Sequence, residues 1–553
     1  MAKRNKWAQR YPVTSVRSYV RAATGRELDE ITKETGWGFK YFEAVKQALL
    51  EAKHSMRHVT VVADYDVDGV SSADIMYSLL KEMGIKMSII MPKRFSEGYG
   101  LSDKILDRIP DGELLITIDN GITCVEQIKK ARERGMFVIV LDHHQAGETL
   151  PEADILIDPS AIGEADFTKY CGAGIGYRLA CYILGENHPL IKRLSVVAMF
   201  GTIADCMELS GDNRVIVTEG LDNLKNGNCV PAVKELCERC KITKGSTATD
   251  IAFNVAPALN APGRLHDDGA QKAMSALVLG GEHIDSIIED NTTRKNIVNA
   301  ITGSLDFEAL KNSDDKCIVL RNDDVPRGIV GIIAGKISES TGKPSIVLTL
   351  DKDTGELNGS ARSPREDFSL VETLRAHEDL LVRVGGHAKA AGLALVPENV
   401  DALRKALNED IPKGEAKDDA VYWDLQLNDL NFLTVSKQIL SLEPTGEGLP
   451  APIVRIKTRL KPDSMHLFGE VDTGEVNERG EKIVKPKHVR FNCGNFTAVA
   501  FNDADWVNEQ LRSVPRPHYV DVVGRLNENI YYNERLKKEV KTLQIICDDF
   551  ELT

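Results

Sequence analysis

Residues 61–72 read VVADYDVDGVSS, and this stretch decides the fold of the first part of the chain. It begins inside HVTVVA (58–63), an apolar and β-branched run that is typical of a buried strand. Three aspartates, Asp64, Asp66 and Asp68, follow directly and are spaced two residues apart. Because carboxylates this close repel one another and resist ionising together, the arrangement requires a partner that compensates their charge.

The same succession of an apolar run and a helical pattern repeats along the first 320 or so residues. After the aspartates, SSADIMYSLLKEMG (71–84) has apolar residues at helical spacing, with Ser71 or Ser72 as the expected N-cap. The later apolar runs are ELLITI (113–118), FVIVL (137–141) and SVVAMFGTIA (195–204), of which the last fits either a strand or a helix that ends in a turn. Strands that alternate with helices predict an α/β fold built on a parallel sheet.

Polar side chains follow each of the later runs. They are Asp119 and Asn120 after the second, Asp142, His143 and His144 after the third, and Asp205 after the fourth. Ligands of open α/β sheets bind beyond the carboxyl ends of the strands, so these residues are expected to converge. Carboxylates with imidazoles and no thiolate suit Mn²⁺ or Mg²⁺, and their number fits two ions that share a carboxylate. The alternative for each single aspartate is a helix cap.

Length and composition limit the remaining possibilities. A chain of 553 residues predicts about three or four domains. No apolar stretch reaches the roughly 18 residues of a membrane span, and the N-terminus lacks the apolar core of a signal peptide, so a cytoplasmic protein is expected. The formal charge of −14 argues against nonspecific nucleic-acid binding by the whole surface, but it leaves room for a basic channel.

Four segments resemble the motifs of the DHH phosphoesterase superfamily: DYDVDG (64–69), TIDNGI (117–122), LDHH (141–144) and TIADCMEL (202–209). Further segments resemble the RecJ-like branch of single-strand-specific exonucleases: RFSEGYGL (94–101), GAGIGYRLA (172–180), LNAPGRL (259–265), GIVGIIAGKI (328–337), GSARS (359–363), GGHAKAAGLAL (385–395) and EPTGEGLPAP (443–452). The likeness runs from about residue 45 to the C-terminus, and the ordered set is far more specific than any one of its pieces.

The resemblance implies a ligand set for two divalent ions, Mn²⁺ or Mg²⁺. Its members are Asp64, Asp66, Asp68, Asp119, His143 and Asp205. Asp119 would bridge the ions, His144 would face the scissile phosphate, and Asp142 and Asn120 would orient the ligands. Some relatives have a histidine where this chain has Val62, so the partition of the ligands between the two ions stays open.

The resemblance also implies that a second domain faces the metal domain and grips the nucleic-acid backbone. Its expected contacts are Ser360, Arg362, His387 and Lys389, joined by Arg94 and Arg264 from the first domain. The alternative for any one arginine is a solvated salt-bridge partner. Relatives usually carry an aromatic-and-histidine element before GIVGIIAGKI, whereas this chain has DDVPRG (323–328). Arg327 would therefore replace a histidine contact with an arginine–phosphate contact, or alter the selection of the strand end.

Five regions are predicted along the chain. They are an N-terminal segment of unassigned role (1–44), the DHH metal-binding domain (45–269), a long connecting helical segment (270–311), a second α/β, DHH-associated domain (312–411) and a C-terminal OB-like β-barrel (412–553). In the last region Phe491, Phe496, Tyr531 and Tyr532 lie among basic residues, which is typical of a groove that stacks single-stranded bases. The alternative for each of these aromatic side chains is a place in the core.

The function that the resemblance implies is a single-stranded-DNA-specific exonuclease. It would hydrolyse phosphodiester bonds from the 5′ end by a two-metal mechanism, with His144, Asp119 and Arg362 as the catalytic residues, and would release 5′-mononucleotides in DNA repair or recombination. Two alternatives stay open: a phosphodiesterase for short oligonucleotides or cyclic dinucleotides, and a catalytically inactive replication scaffold. The expected partner is single-stranded DNA, with a single-strand-binding protein or a helicase as further candidates, and the protein is expected to be a monomer.

Overall fold

The computed structural model describes residues 6–33, 39–162, 167–414, 420–461, 464–476, 482–514, 517–533 and 537–553. Within these ranges the chain forms three sheets of five, five and seven strands and one sheet of two strands. Each of the three larger sheets has its own hydrophobic core.

The first domain is built on a sheet of five parallel strands. Their spatial order is Met87–Ile90, Val59–Ala63, Leu114–Ile118, Phe137–Leu141 and Ile155–Ile157. Neighbouring residues of one strand belong to different cores, with Val61 in one and Val62 in the other, because helices cover both faces of the sheet. The predicted α/β fold with a parallel sheet is therefore confirmed.

Eleven α-helices of the described residues belong to this domain. They are Phe42–Ser55, Val67–Met83, Asp103–Leu106, Val125–Glu133, Pro159–Ile162, Gly172–Leu184, Pro189–Ala204, Gly211–Lys225, Pro231–Arg239, Ala248–Asp250 and Ala256–Leu265, and a π-helical turn, Ile251–Val255, precedes the last.

The helix after the first strand begins earlier than its apolar pattern indicates. It runs from Val67 to Met83, and the Asp66 side chain is its N-cap, accepting hydrogen bonds from the backbone N–H groups of Asp68 and Gly69 at 2.9 and 3.2 Å. The expectation that Ser71 or Ser72 caps the helix is wrong, since both serines are fully buried within it. An aspartate is as good a cap as a serine, and here it stands closer to the strand than either serine does.

The fourth apolar run forms a helix. Residues 195–204 lie within the helix Pro189–Ala204, whose inner residues are buried nearly all round. Asp205 therefore follows a helix and not a strand. A helix that is apolar on every side has the same sequence pattern as a buried strand, because it lacks the polar face that would show its period.

The segment between the first two domains is interrupted. It contains the helices Gly269–Leu279, Glu282–Gly303 and Phe307–Asn312. The connecting helical segment predicted over 270–311 therefore consists of three helices, of which only the second is long. Gly280 and Gly281 separate the first two helices and have φ angles of 71° and 58°, which a residue with a side chain rarely adopts.

The second domain has a mixed sheet of five strands. Their spatial order is Arg383–His387, Ala390–Leu395, Leu357–Arg362, Ser345–Leu350 and Ile318–Arg321, with only the last pair parallel. The helices of this domain are Val330–Thr341, Leu370–Arg375 and Val400–Asp410. Two 3₁₀ turns, Glu378–Leu380 and Pro397–Asn399, complete it.

The C-terminal domain has a mostly antiparallel sheet of seven strands, consistent with the OB-like region that was expected. The spatial order is Leu425–Leu427, Ile453–Arg459, Tyr519–Asn533, Lys538–Leu552, Phe496–Ala500, Lys482–Asn492 and Met465–Val476. Its helices are Phe432–Leu440 and Ala504–Ser513.

The N-terminal segment packs on this last domain. Strand Trp7–Gln9 pairs in parallel with Val421–Trp423. The helix Val16–Thr24 and the short helix Leu28–Ile31 contribute to the core of the C-terminal domain. The two ends of the described chain thus form one folded unit.

Two of the four aromatic residues predicted for a stacking groove of the C-terminal domain lie in its core instead. Phe491 and Phe496 are buried in the core, at 0% and 4% exposure, so the expectation for them is wrong. They stand on the inward face of their strands, where large apolar groups are removed from water. Tyr531 is exposed, whereas the side chain of Tyr532 lies outside the described residues.

None of the helices in the described part of the chain combines the length and the apolar character that crossing a membrane requires.

Candidate metal centre and phosphate cavity

The metal-ligand candidates converge beyond the carboxyl ends of the central strands. Asp64 follows the strand Val59–Ala63, and Asp119 follows Leu114–Ile118. Asp119 has a φ angle of 60°, in the left-handed region, which is a strained conformation for a residue with a side chain. Such strain persists only where surrounding contacts enforce it, and it is concentrated at functional positions.

Two sets of ligand atoms lie side by side. The oxygens of Asp64, Asp66 and Asp119 form the first set, and those of Asp68 and Asp205 form the second with an imidazole nitrogen of His143; within each set the atoms lie within 4.8 Å of one another. The sets meet where His143 Nε2 lies 3.0 Å from Asp119 Oδ1. Asp119 therefore stands between the two sets.

The backbone around the second set fits it closely. The N–H groups of Gly172 and Ala173, at the start of the helix Gly172–Leu184, donate to the two carboxylate oxygens of Asp68 at 2.7 and 2.9 Å. The N-terminus of a helix is a natural anion site. A Cβ atom on Gly172 would lie 2.5 Å from the Cβ of Asp119, so only glycine lets this helix approach.

The cluster holds more negative charge than the surrounding residues compensate. Burial, followed by the charges of neighbouring aspartates, raises the pKa of Asp64 and Asp119 well above the ordinary value and that of Asp205 to about 8. Asp64 Oδ1 is buried and has no hydrogen-bond partner among the described residues. Burial lowers the pKa of His143, which favours the neutral imidazole that binds metals. This set of oxygen donors with one imidazole fits hard divalent cations such as Mn²⁺ or Mg²⁺.

A second imidazole lies at the edge of the cluster. His144 Nδ1 is 2.8 Å from Asp142 Oδ1, and Asp142 Oδ2 accepts from the N–H of Ile122 at 2.9 Å. Burial lowers the pKa of His144, but the hydrogen bond to Asp142 and its charge outweigh burial and raise that pKa to about 9. The same contacts overcome burial at Asp142 and lower its pKa. These contacts favour the protonated form of His144.

Asn120 and Tyr99 hold the frame of the cluster. Asn120 Nδ2 donates to the carbonyls of Val62 and Ile118 at 3.0 and 2.9 Å, which ties two strand ends together. The hydroxyl of Tyr99 donates to the Asp119 carbonyl and lies as close to His144 Nδ1, at 3.2 Å in each case. Tyr99 belongs to RFSEGYGL, but nothing in that sequence alone indicated a contact with His144.

A cavity of about 500 Å³ lies between the first and second domains and is lined by five arginines: Arg94, Arg264, Arg327, Arg362 and Arg383. None of these guanidinium groups is ion-paired with a carboxylate within the ranges that the structure describes. Arg362 donates to Ser360 Oγ at 2.8 Å, and Arg264 donates to the Gly328 carbonyl at 3.2 Å. The cavity is therefore strongly positive in a protein of net charge −14.

The cavity adjoins the aspartate cluster. The guanidinium of Arg94 lies 4.7 Å from the ring centre of Tyr65, which stands in sequence between Asp64 and Asp66. Burial, followed by the positive charge of Arg94, lowers the pKa of Arg264 to about 10, and the nearby Asp66 opposes this shift. Arginine forks match phosphate oxygens, so the arrangement can hold a phosphate beside the cluster.

Two predicted contacts lie apart from this cavity. His387 and Lys389 are exposed at the hairpin between the strands Arg383–His387 and Ala390–Leu395, and Lys389 pairs with Glu366 at 2.5 Å. Arg383 lines the cavity instead, although the sequence reasoning missed it. Its position two residues before GGHAKAAG was the one available signal.

The segment that carries Asp205 is braced from the C-terminal domain. Glu208 pairs with Arg26 of the N-terminal segment and with Lys169. The N–H of Leu209 donates to the Glu447 carbonyl at 2.8 Å. Arg214 donates to the carbonyls of residues 442, 443 and 444 at 2.8–2.9 Å. The segment EPTGEGLPAP thus joins the domains and does not line the cavity.

Comparison with known proteins gives matches along most of the chain. The N-terminal domain of the DHH family matches residues 58–202, and the DHHA1 domain matches residues 314–413. The single-stranded-DNA-specific exonuclease RecJ of Bacillus subtilis is 34% identical over 524 residues, which are 92% of this chain and 63% of that protein. The chain therefore spans less than two thirds of the length of this relative.

Two solved structures are similar in fold. RecJ from Thermus thermophilus, in complex with Mn²⁺, matches 97% of this chain and 75% of its own with a TM-score of 0.72 at 25% identity. A second structure, an exonuclease RecJ bound to manganese, matches 68% of this chain and 96% of its own with a TM-score of 0.59 at 29% identity.

The parallel sheet and all of its cluster residues except Asp205 thus lie within the match to the N-terminal domain of the DHH family, and the sheet of the second domain lies within the match to the DHHA1 domain. Over most of its length the chain is similar in sequence and in fold to these RecJ proteins.

Proposed function

We propose that this protein is a metal-dependent exonuclease that degrades single-stranded DNA from the 5′ end and releases 5′-mononucleotides. The observation that carries the proposal is the two-part cluster of aspartates and His143 directly beside a cavity lined by five arginines. A relative of 34% identity is named a single-stranded-DNA-specific exonuclease, and two structural neighbours were solved with manganese.

Two divalent ions, Mn²⁺ or Mg²⁺, would be held by the two ligand sets, with Asp119 shared between them. When bound, such ions lower the pKa of a coordinated water and neutralise charge on the phosphate. The protein's own contribution is to keep six donors together, with the helix Gly172–Leu184 fixing Asp68 and with Asn120 fixing the strand ends.

The cationic groups at the edge of the cluster would act on the phosphate. His144, kept protonated by Asp142, donates to a non-bridging oxygen and stabilises the charge that develops there. Arg362 and Ser360 hold the terminal nucleotide from the second domain, and Arg94 and Arg264 bind the phosphate at the 5′ end. A strand end that these residues hold in the cavity accounts for exonuclease action from that end.

The remaining strand would leave past the exposed hairpin, where His387 and Lys389 contact its backbone, and would continue over the C-terminal domain. We expect a cytoplasmic monomer that works in repair or recombination, to which a single-strand-binding protein or a helicase delivers its substrate. The small-substrate phosphodiesterase is less well supported, because such an enzyme has no need of a seven-stranded C-terminal domain. An inactive scaffold is less well supported, because every expected aspartate and histidine position except that of Val62 is filled.

The test is a nuclease assay with Mn²⁺ on a long single strand, the matching duplex and a dinucleotide. The long strand should be degraded to mononucleotides, and the other two should be cleaved at least tenfold more slowly. Asp119→Ala should abolish hydrolysis, whereas Asp401→Ala, which removes a carboxylate that is 90% exposed, should not. Preference for the dinucleotide would refute the proposal.

A second variant separates substrate binding from metal binding. Arg362→Ala should raise KM for the strand and leave Mn²⁺ affinity unchanged, since this arginine contacts Ser360 and no aspartate of the cluster. Loss of Mn²⁺ binding in this variant would show that the role given to Arg362 is wrong.

A further inference from the structure

The arginine cavity has two sides. Arg94, Arg264 and Arg362 form the inner side, which is partly buried next to the aspartate cluster. Arg327 and Arg383 form the outer side, where both are exposed to solvent. Burial and then the positive charge of Arg383 lower the pKa of Arg327, so the two outer guanidinium groups lie close enough to repel each other.

With Arg327 and Arg383, the cavity carries more positive charge than is needed to neutralise a single terminal phosphate. A phosphate monoester carries about −1.5 to −2 charges at neutral pH, and the three inner arginines already match it. Like charges placed together are unfavourable unless an anion lies between them. Asp351 also acts on Arg327 electrostatically, but it forms no ion pair with it; its Oδ1 accepts the N–H of Asp353 and its Oδ2 accepts Asn358 Nδ2 at 3.2 Å.

The position of Arg383 is fixed by its neighbours. Asn358 donates to Asp351 and accepts with its Oδ1 from Arg383 Nη2, so Asp351 orients Asn358 and Asn358 orients the guanidinium. A side chain that is held in this way loses little entropy when it binds an anion. This contact distinguishes Arg383 from a freely solvated surface arginine.

The cavity has room for more than one phosphate group. Its volume of about 500 Å³ lies within the range of ordinary ligand pockets. Gly385 and Gly392 face each other across two paired strands in its wall, and a Cβ atom added to either would meet nothing within 4 Å. At these two glycines, the cavity wall between the inner and outer arginines is therefore backbone that no side chain covers.

We propose that the outer arginines bind the additional phosphates of a 5′-terminal triphosphate, so that the enzyme accepts strands that begin with a triphosphate as well as those that begin with one phosphate. The inference rests on the proposed function, since it assumes that the inner arginines hold the first phosphate of a 5′ end. Triphosphate ends are left by polymerases that start a strand from a nucleoside triphosphate without a primer. Such synthesis is the class of reaction that would supply this substrate.

The test compares one oligonucleotide with a 5′-hydroxyl, a 5′-monophosphate or a 5′-triphosphate, labelled at its 3′ end. The intact protein should degrade the triphosphate strand within about threefold of the rate for the monophosphate strand. In Arg327→Gln and Arg383→Gln the ratio of the triphosphate rate to the monophosphate rate should fall about tenfold, as expected for the loss of one charge-assisted contact. Arg321→Gln, a matched change at an exposed arginine paired with Asp323, should keep the ratio.

A binding measurement separates this inference from the proposed function. In EDTA, inorganic tripolyphosphate should raise the melting temperature more than orthophosphate does at equal concentration, and Arg327→Gln should remove that difference. If no strand is degraded while the tripolyphosphate effect is present, the proposed function fails and the cavity assignment stands. A triphosphate strand as resistant as the hydroxyl strand overturns the inference. Release of dinucleotides from the monophosphate strand also overturns it, because a second nucleotide would then fill the outer side.

Discussion

Replacement of Gly172 by alanine tests how strictly the first turn of one helix positions the candidate metal ligands. The new Cβ atom would lie 2.5 Å from the Cβ of Asp119 and 3.0 Å from its Cα. Carbon atoms pack best at about 3.5–4.0 Å, so the helix and Asp119 must move apart by about 1 Å. Asp119 has little freedom to yield, because its backbone is already in the left-handed region and its carboxylate lies 3.0 Å from His143.

The expected cost has two parts. Overpacking of this kind lowers the free energy of unfolding by roughly 1–3 kcal/mol. A displacement of about 1 Å in a catalytic group lowers the rate by about a hundredfold. Both parts arise from one contact, since the backbone N–H of residue 172 is still available to Asp68.

The assay measures Mn²⁺ affinity, kcat on a single-stranded oligonucleotide and thermal unfolding of the metal-free protein. Gly335→Ala is the control, because Gly335 lies within the helix Val330–Thr341 and its added Cβ would meet nothing within 4 Å. That change should stabilise the protein by about 0.5–1 kcal/mol. If Gly172→Ala keeps both the wild-type Mn²⁺ affinity and the wild-type kcat, the close packing of this helix against Asp119 is not what positions the ligand.

Three further predictions concern charge and domain contact. Asp142→Asn should lower the stability of the metal-free protein more at pH 6 than at pH 10, because the raised pKa of His144 contributes stability fully below about 6.5 and loses it as pH rises through about 9. The part of the loss that comes from the Ile122 contact should be the same at both pH values. Urea unfolding in EDTA at both pH values checks this, and an equal loss at pH 10 would contradict it. Mn²⁺ affinity should rise from pH 6 to pH 8.5 and Mn²⁺ binding should release protons, since binding must deprotonate carboxyls such as Asp205, whose pKa is about 8. Calorimetry in buffers of different ionisation enthalpy measures the number of protons released. An affinity that does not change with pH would count against the ligand set. Arg214→Ala should lower the free energy of unfolding by about 3 kcal/mol or more, because it leaves the carbonyls of residues 442–444 without a donor. Arg193→Ala, at an exposed site, should change the free energy of unfolding by almost nothing. Denaturant unfolding measures both variants, and equal stability of the two would refute the bracing role.

The sequence revealed the strands more accurately than the helices. Leu114–Ile118 and Phe137–Leu141 agree with their predicted runs within a residue, because β-branched residues followed by a polar residue mark a buried strand and its end. The helix boundary at Val67 was missed because Asp66 is both a cap and a ligand candidate, and only its ligand role was considered.

The sequence predicted which site residues lie close together in space only where the rule for the carboxyl ends of parallel strands applied. The rule for parallel sheets brought Asp64, Asp119 and His143 to one edge from the sequence alone. It could not find Tyr99 or Arg383, whose contacts depend on a loop path and on the packing of two domains. Phe491 and Phe496 of the C-terminal domain were misjudged for a related reason, since a strand sequence shows alternation but not which face is inward.

The brace that Leu209 and Arg214 form with the segment 442–449 joins parts of the chain that are more than 200 residues apart in sequence. Contacts of such wide separation form late, after the local units have folded. A nascent chain on the ribosome would therefore complete its parallel sheet well before the Asp205 segment gains this support. The proposed nuclease activity would thereby depend on a support for the Asp205 segment that becomes available only after residues 442–449 have been synthesised.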